Sequence, residues 1–292
     1  VSSILRAVGD SKRPLYVLII TCLLNILLDV VFVVIFHMGV LGVALATVSC
    51  QAVSAILVTW FLMRAEDIYR LEFHEIRFDL RSLGAVLRIG LPAGLESVMY
   101  NIANLTIQIF VNELGTDTVA AWGTMGKIDA VFWMVCNAFA ISITTFVGQN
   151  YGAGKKERIR TGIREGVILT ILINIPLALM LLCIPEFLTS FMLNDASIIS
   201  YTRDFLAVTG ICLFPLGWLF VFRNGCQGMG HTFVPMLSGV LEVSLRVVMV
   251  KLLTPYLAFR GVALAEVSAW IGAWIMLMIT YWIYQERTDS FR

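Results

Sequence analysis

Long apolar segments dominate this 292-residue chain, and they constrain its fold more than any other feature. A segment of roughly 20 mainly apolar residues can cross a bilayer as an α-helix, which rises about 1.5 Å per residue. Eight segments meet this length: 15–36, 41–62, 87–111, 118–147, 163–184, 200–222, 232–254 and 260–284. With 59% hydrophobic and 14% charged residues, the chain has more apolar surface than a soluble fold can bury. The sequence therefore predicts an all-α polytopic membrane protein.

The Lys and Arg residues of the predicted loops lie almost entirely on one side of the membrane. Sixteen of them lie in alternate loops, at 1–14, 63–88, 152–165, 223–231 and 285–292. The opposite loops hold two, Arg203 and Arg260. Because basic loops stay in the cytoplasm, this asymmetry predicts a multi-pass membrane protein with a cytoplasmic C-terminus. The net charge of +1 argues against a nucleic-acid partner.

The chain contains an internal repeat. GVALATVS at 42–49 recurs as GVALAEVS at 261–268, with seven of eight positions identical, and GDSKRP at 9–14 aligns with GHTFVP at 230–235. With the predicted topology, both copies run in the same direction across the membrane. Parallel repeats of this kind are typical of transporters that bind substrate between their two halves. The first copy lacks the helices that should precede it, so we expect an N-terminally truncated fragment that lacks three to four helices.

Asn25 and Asp29 place two polar groups in an apolar helix. They are four residues apart and share one helix face, and Thr47 of the next helix lies at a similar predicted depth. A carboxylate in the middle of a membrane helix costs about 2.5–3.5 kcal/mol on insertion scales. Carboxylate, amide and hydroxyl oxygens together suit a hard cation or an exchangeable proton. The alternative is interhelical hydrogen bonding, but such bonds contribute only about 1 kcal/mol. We therefore favour an ion-coupling site.

A second polar stripe follows the GLPAG segment at 90–94, whose Gly and Pro residues should loosen the helix. The stripe consists of Glu96, Tyr100, Asn104 and Gln108, which step by four along one helix face. Such a stripe faces either a neighbouring helix or a water-filled cavity. Four long polar side chains in a row favour a substrate cavity.

Further charged residues fall within the C-terminal spans. Glu242 and Arg246 are four residues apart, which predicts an ion pair with a structural role, or alternatively a role in substrate or proton handling. Glu266 takes the repeat position of Thr47 and, if it has no partner, is a second candidate proton site. Lys127 and Asp129 do not share a helix face, so we interpret them as gate or packing charges.

The sequence offers no motif of soluble enzyme chemistry. It contains no Walker A loop, no GxSxG and no HExxH. The six cysteines lie singly in apolar segments, which is typical of helix packing and not of disulfides or a metal site. We therefore predict a non-enzyme without cofactor or bound metal, powered by an ion gradient across the bilayer, with H⁺ or Na⁺ as the coupling ion.

Four segments carry a family resemblance: ILRAVGDSKRP at 4–14, GVALATV at 42–48, GLPAGLESVMYNIANL at 90–105 and VGQNYGAGKKERIR at 147–160. In these segments the chain resembles the multidrug and toxic compound extrusion (MATE) transporters, a branch of the wider multidrug/oligosaccharidyl-lipid/polysaccharide flippase group. The resemblance implies a two-lobe bundle of twelve helices with a pseudo-twofold repeat, of which this chain covers the end of helix four through helix twelve. It divides the chain into an incomplete N-lobe at 1–62, a cytoplasmic amphipathic linker at 63–88 and the C-lobe at 89–292.

The resemblance also implies site residues. One branch of the family binds a cation with an Asn and an Asp four apart on helix five and a Thr eighteen residues after the Asp. Asn25, Asp29 and Thr47 match both spacings, whereas the further ligands on helices one and four would lie outside this chain. Other members use a Glu on helix seven. Here Tyr100 stands at that spacing and Glu96 lies one turn earlier, so the sequence departs from that pattern.

The implied function is a cation-coupled antiporter, with H⁺ or Na⁺ as the ion, that exports small organic and often cationic compounds by alternating access. We expect a monomer in the lipid bilayer. One alternative is a lipid-linked oligosaccharide flippase, whose cavity is lined with basic residues, whereas here only Lys127, Arg246 and Lys251 lie within spans. The other alternative is a non-transporting scaffold, which would not need buried acids.

Overall fold

The computed structural model describes residues 2–65, 69–72, 74, 77–190 and 196–289, and within them it contains helices, turns and loops but no strand. The chain divides into two compact units, residues 1–80 and residues 81–292. Because the described residues form helices and no strand, the all-α fold class predicted from the apolar segments is confirmed.

Unit 1 is built on a pair of long helices. Its elements are α1 (Ser2–Ala7), α2 (Lys12–Asp29), a π-helical turn (Val30–Ile35) and α3 (Gly39–Met63). Leu5, Val17, Val58 and Leu62 form its small buried core, where the first turn of the chain meets the two long helices.

The amphipathic surface helix predicted within 64–88 is only partly present. Among the described residues of 64–79 there is no α-helix, and helix begins at Leu80. The backbone N–H of Leu71 donates to the Leu62 carbonyl oxygen at 3.2 Å, which ties the segment back to the end of α3. Tyr69 and Leu71 pack against the unit 1 core. Tyr69 and Leu71 are thus partly covered by folding back, whereas Phe78 is exposed.

Unit 2 is a larger helical bundle. Its helices are α4 (Leu80–Glu113), α5 (Thr116–Gly152), α6 (Lys156–Cys183), α7 (Pro185–Ser190), α8 (Ala196–Ile211), α9 (Leu213–Gly228), α10 (Phe233–Leu257) and α11 (Phe259–Asp289). Helix α9 packs against α5, α6 and α11, and α10 pairs along its length with α11. Ile107, Met125, Phe205, Leu219 and Leu277 belong to the core that these helices enclose.

Six helices of the described chain are long and apolar enough to cross a membrane, or seven if α8 and α9 are counted as one bent span. The sequence predicted eight. The difference is α4, which covers the predicted span at 87–111 as one 34-residue helix but is not apolar enough to qualify. Its polar stripe, which includes Glu96 and Asn104, lowers its hydropathy, so α4 is suited to line a polar interior.

The span predicted at 200–222 is not one straight helix. Residues 198–211 and 213–228 are bent by 52° at Cys212. Pro215 lies just after the break, where it has no N–H to donate to the preceding turn and its ring would clash with that turn's carbonyl. Asn174 of α6 donates its side-chain N–H to the Leu213 carbonyl oxygen at 2.9 Å and so holds the break in place.

The GAGKK segment ends α5 with a Schellman turn. Gly154 has φ +68°, a left-handed conformation that glycine adopts without strain. The Lys155 N–H then reaches back to the Asn150 carbonyl oxygen at 2.8 Å, which closes the turn before α6 begins at Lys156. This geometry explains why the segment needs glycine directly before its basic residues.

The internal repeat is visible in the local structure of both units. Gly9 and Gly230 have φ of +92° and +81° and precede α2 and α10. Gly42 and Gly261 each lie against the end of the preceding helix. A Cβ on Gly42 would come within 3.0 Å of the Phe32 Cβ, and a Cβ on Gly261 within 2.7 Å of the Leu253 backbone. In both copies, the glycine of the repeated GVALA segment thus lies at a close contact with the end of the preceding helix.

We expect Gly261→Ala to destabilise the protein by about 1–3 kcal/mol, because the added methyl group meets backbone that cannot move aside without separating α10 from α11. Thermal unfolding in detergent, followed by tryptophan fluorescence, measures the change. Gly84→Ala is the matched control, since a Cβ there meets nothing within 4 Å. Equal melting temperatures for the two variants would contradict the packing argument.

Candidate functional site

Asn25 and Asp29 leave two polar atoms without partners in the interior of unit 1. The Asn25 Nδ2 and the Asp29 Oδ1 are buried and make no hydrogen bond to the described residues. An unsatisfied buried polar group costs about 1–3 kcal/mol, and a charged one more. Both atoms lie on the same face of α2, one turn apart. The Asp29 Oδ1 is an acceptor that is open to a proton or a cation, whereas the Asn25 Nδ2 is a hydrogen-bond donor without an acceptor.

Asp29 is the last residue of α2, and the helix changes type directly after it. From Val30 to Ile35 the backbone forms a π-helical turn, in which the Phe36 N–H donates to the Val31 carbonyl oxygen at 3.0 Å. The Val30 N–H is shared between the carbonyl oxygens of Ile26 and Leu27. A π-turn inserts one extra residue, which rotates the following helix by roughly 100° relative to a regular α-helix. Such turns occur frequently at functional sites.

Thr47 is not joined to this pair in the structure. Its hydroxyl donates to the Val43 carbonyl oxygen of its own helix at 2.9 Å, and its side chain is exposed. The described residues show no hydrogen bond from Thr47 to Asn25 or Asp29. Asn25 and Asp29 share one helix face and each leaves an unpartnered buried atom, and the role of all three residues as an oxygen cage stays a prediction.

Unit 2 contains a chain of buried ion pairs, which we call the charge ladder: Glu96, Arg223, Glu242, Arg246 and Glu266. The Arg223 Nε lies 3.0 Å from the Glu96 Oε1, a contact of opposite charges without hydrogen-bond alignment. The Arg223 Nη2 lies 2.9 Å from Glu242, and the Arg246 Nη2 lies 3.0 Å from the other oxygen of Glu242. The same Arg246 nitrogen is 3.4 Å from the Glu266 Oε1. The ladder therefore links α4, α9, α10 and α11.

Neutral side chains complete the ladder at three points. Gln227 donates to the Glu96 Oε2 at 2.9 Å, and Arg223 donates to the Ser238 hydroxyl oxygen at 3.3 Å. Arg246, which is 0% exposed, also donates to the Asn104 Oδ1 at 3.1 Å. Buried charges are stable only when they are paired and hydrogen-bonded. Both arginines meet that condition through their Nη atoms, whereas the Nε of each makes no hydrogen bond to a described residue.

The sequence placed Arg223 in a cytoplasmic loop, and this was wrong. Helix α9 continues to Gly228, and Arg223 is buried within it. A charge after a long apolar run was interpreted as the end of the span. The available signal was the helical spacing of Phe220, Arg223, Asn224 and Gln227, which places polar groups on one face of a continuing helix.

The structure places the other charged residues predicted within the spans in different environments. The Glu242–Arg246 pair lies within hydrogen-bond distance, as the spacing indicated. Glu266 has a partner through one oxygen, whereas its Oε2 is buried and makes no hydrogen bond to a described residue. Lys127 and Lys251 are exposed on the helix surfaces, which leaves Arg246 as the one buried basic residue of the three counted within spans.

Two cavities of unit 2 face the polar stripe of α4. The first, which we call the amide-lined cavity, has a volume of about 330 Å³ and contacts Glu96, Asn101, Asn137, Asn224 and Gln227. The second, which we call the acidic cavity, has a volume of about 320 Å³ and contacts Asn104, Trp122, Asp129 and Glu266. Tyr100 and Trp133 line both cavities, with ring centroids 4.9 Å apart.

Three of the four stripe residues thus face a cavity, whereas the fourth does not. The Gln108 Nε2 donates to the Asn112 Oδ1 at 2.8 Å, one turn further along α4, and Gln108 lines neither cavity. Asp129, interpreted from the sequence as a gate or packing charge, instead faces the acidic cavity.

The family model for MatE matches residues 92–252, which include the polar stripe of α4 and four of the five charge-ladder residues, all except Glu266. The chain belongs to the MatE family. The resemblance stated from the sequence is confirmed. Membership places the chain in a family of multi-pass membrane transporters.

Curated relatives extend beyond this chain. It is 26% identical to the probable multidrug resistance protein NorM of Thermotoga maritima, covering 93% of this chain and 58% of the relative. It is 24% identical to the multidrug export protein MepA of Staphylococcus saprophyticus, covering 84% and 55%. A FAD transporter of Shewanella oneidensis is 22% identical over 82% and 53%. The chain therefore spans little more than half the length of these relatives.

Solved structures share the fold. The structure of MATE in the straight conformation matches with a TM-score of 0.91 at 20% identity, covering 98% of this chain and 65% of that chain. An outward-facing multidrug resistance MATE family transporter matches with a TM-score of 0.88 at 21% identity, covering 98% and 65%. At this identity the likeness establishes the helical architecture and not the site chemistry.

Proposed function

We propose that this protein acts in a cation-coupled antiporter, driven by H⁺ or Na⁺, that exports small organic compounds across a prokaryotic inner membrane. The observation that carries the proposal is the buried Asp29 Oδ1, which has no partner among the described residues of an apolar helix and lies one turn from Asn25. A buried carboxylate without a partner is costly, and binding a proton or cation removes that cost. The names of the relatives, which include multidrug resistance and multidrug export proteins, support the export of diverse compounds.

The π-turn after Asp29 supplies a way for ion binding to change the helix. A ligand shifts an equilibrium only if it binds two conformations with different affinity. An ion held between Asn25 and Asp29 would favour the helix type that keeps both side chains on one face. Loss of the ion would favour a different register after Val30, because the π-turn can move along or leave the helix. We propose that this local switch biases the alternating access of the transporter.

The charge of unit 2 favours cations as substrates. The two buried arginines, Arg223 and Arg246, are each held between two glutamates of the charge ladder. A lipid-linked pyrophosphate or an anionic dinucleotide needs basic groups that are not already neutralised. The ladder therefore disfavours the flippase alternative. A non-transporting scaffold does not require a buried carboxylate without a partner, so the Asp29 Oδ1 disfavours the scaffold alternative.

Transport by membrane vesicles that contain the protein tests the proposal. We expect loss of ethidium from the vesicle interior when a pH or Na⁺ gradient is imposed, and no loss without a gradient. The ion that supports efflux identifies the coupling ion. Efflux that depends on ATP and not on either gradient would contradict the proposal.

The orientation follows from the basic residues, of which fifteen remain in the predicted cytoplasmic loops after Arg223 is moved into α9. We expect a cytoplasmic C-terminus, because basic loops are retained on that side. A C-terminal fusion to green fluorescent protein should then fluoresce, and a fusion to alkaline phosphatase should be inactive. An active phosphatase fusion would place the C-terminus outside.

A further inference from the structure

A third cavity of unit 2, which we call the interfacial cavity, shares no lining residue with the two cavities along α4. It has a volume of about 140 Å³, and Tyr151, Lys156, His231 and Tyr284 are among the residues that line it. These residues come from the turn between α5 and α6, the loop between α9 and α10, and the point where the apolar span of α11 ends. The cavity therefore lies at the level where several spans leave the apolar region.

The wall that α6 contributes to the interfacial cavity is basic. Lys156 and Arg160 both line the cavity, and because they are four residues apart they lie on one helix face. Glu157 is the sole acid among the described lining residues, so the lining has a net positive charge when these three side chains are ionised. The surrounding segment, 151–165, contains five basic and two acidic residues. This charge favours an anionic ligand, and a phosphate accepts hydrogen bonds from both an ammonium and a guanidinium group.

The opposite side of the interfacial cavity is aromatic and apolar. The His231 ring stacks on the Tyr284 ring, with centroids 4.4 Å apart and 7° between the ring planes. Ile159 and Tyr281 are buried members of an apolar cluster, and Met229 packs against that cluster. The basic residues of the lining are exposed, whereas Ile159 and Tyr281 are not. The cavity therefore has a charged side in water and an apolar side toward the bundle, which suits an amphipathic ligand.

The size and position of the interfacial cavity indicate a lipid headgroup. Sites for drug-sized compounds have volumes of about 300–1,000 Å³, and 140 Å³ is too small to enclose such a compound. It is large enough for a charged headgroup whose apolar remainder stays in the bilayer. The predicted orientation places this end of unit 2 on the cytoplasmic side. Anionic lipids give that side of a membrane its negative surface potential, and basic pockets between membrane helices bind their headgroups.

We propose that the interfacial cavity binds the phosphate headgroup of an anionic phospholipid in the cytoplasmic leaflet. Lys156 and Arg160 contact the phosphate oxygens, and the stacked rings of His231 and Tyr284 form a flat wall beside the glycerol group. A lipid bound there contacts both the start of α6 and the end of the α11 span, so it stabilises this end of unit 2. The site needs no residue of unit 1, and its affinity for lipid does not depend on the proposed antiport.

Native mass spectrometry of the purified protein in detergent tests this site, with an equimolar mixture of phosphatidylglycerol and phosphatidylcholine that have the same acyl chains. We expect the protein to retain phosphatidylglycerol in preference to phosphatidylcholine, which has no net charge. Lys156→Gln and Arg160→Gln should each lower that preference by about fivefold, as expected for one basic residue near a membrane surface. Arg164→Gln is the matched control, because Arg164 is an exposed basic residue one turn further along α6 that does not line the cavity.

The preference for phosphatidylglycerol should disappear when Lys156→Gln and Arg160→Gln are combined. Both side chains are exposed, so we expect the lipid-free variants to unfold at the same temperature as the wild type. An unchanged preference in the double variant, or an equal loss in Arg164→Gln, would overturn the proposal.

Glycerol 3-phosphate distinguishes a lipid from a soluble phosphate compound, because it carries the phosphate without acyl chains. We expect an excess of it to leave phosphatidylglycerol bound. Displacement of the lipid would identify a soluble phosphate compound as the ligand and would contradict the lipid assignment. Asp29→Asn should retain phosphatidylglycerol as the wild type does, which separates this site from the proposed coupling mechanism.

Discussion

Asp29→Asn should abolish gradient-driven ethidium efflux while the protein still inserts into the membrane and folds. The substitution keeps the size and polarity of the side chain but removes the group that exchanges a proton or binds a cation. The orphaned Asp29 oxygen at the start of the π-turn has no other partner among the described residues, so no neighbouring group compensates. Efflux from vesicles and the amount of protein in the membrane are measured together.

Two further variants accompany this experiment, the first as a second test of the site and the second as a control. Asn25→Ala removes the neutral member of the pair and should weaken coupling without abolishing it, since the carboxylate remains. Asp204→Asn changes a carboxylate that is bound to Arg260 at the surface, and it should transport normally. Wild-type efflux by Asp29→Asn would remove Asp29 from the mechanism.

Arg246→Met should destabilise unit 2 more than any surface substitution, by about 3–5 kcal/mol. Arg246 is 0% exposed and contacts Glu242, Glu266 and Asn104, so its loss leaves two glutamates facing each other without a cation between them. Methionine fills most of the volume, which separates the effect of charge from that of a cavity. Thermal unfolding in detergent reports the change.

Arg260→Met is the matched control for this loss of charge. Arg260 also pairs with a carboxylate, Asp204, but it does so at an exposed position where water replaces the lost contact. We expect its melting temperature to remain close to that of the wild type. Similar melting temperatures for Arg246→Met and Arg260→Met would mean that the charge ladder contributes little to stability.

The sequence predicted the elements whose signals are local. Apolar length identified most spans, and a four-residue spacing identified the Glu242–Arg246 pair. Each of these depends on residues that are neighbours along one helix or in adjacent helices. The geometry and hydropathy of a single helix are therefore enough to predict these features.

The features that the sequence did not predict depend on distant residues or on backbone register. Asp129 and Glu266 meet at one cavity although they lie on α5 and α11, and periodicity within a helix carries no information about that meeting. The π-turn after Asp29 falls in VVFVVI, which is equally compatible with a regular helix. The break at Cys212 did have a signal in Pro215, but the apolar run around it was interpreted as one continuous span.

The position of Arg223 shows why charge alone is a poor marker of a helix end. In a membrane helix an arginine is tolerated in the interior when acids on other helices neutralise it. Those acids, Glu96 and Glu242, are 127 and 19 residues away in sequence (223 − 96 and 242 − 223). The pairing that makes the position acceptable is therefore a property of the folded bundle.

Ion flux is the most direct test of the central claim, that an ion or proton is exchanged at Asp29 during each transport cycle. In proteoliposomes, addition of ethidium to one side should drive counterflow of H⁺ or Na⁺ by the wild-type protein and none by Asp29→Asn. Counterflow of the same size in both proteins would contradict the claim.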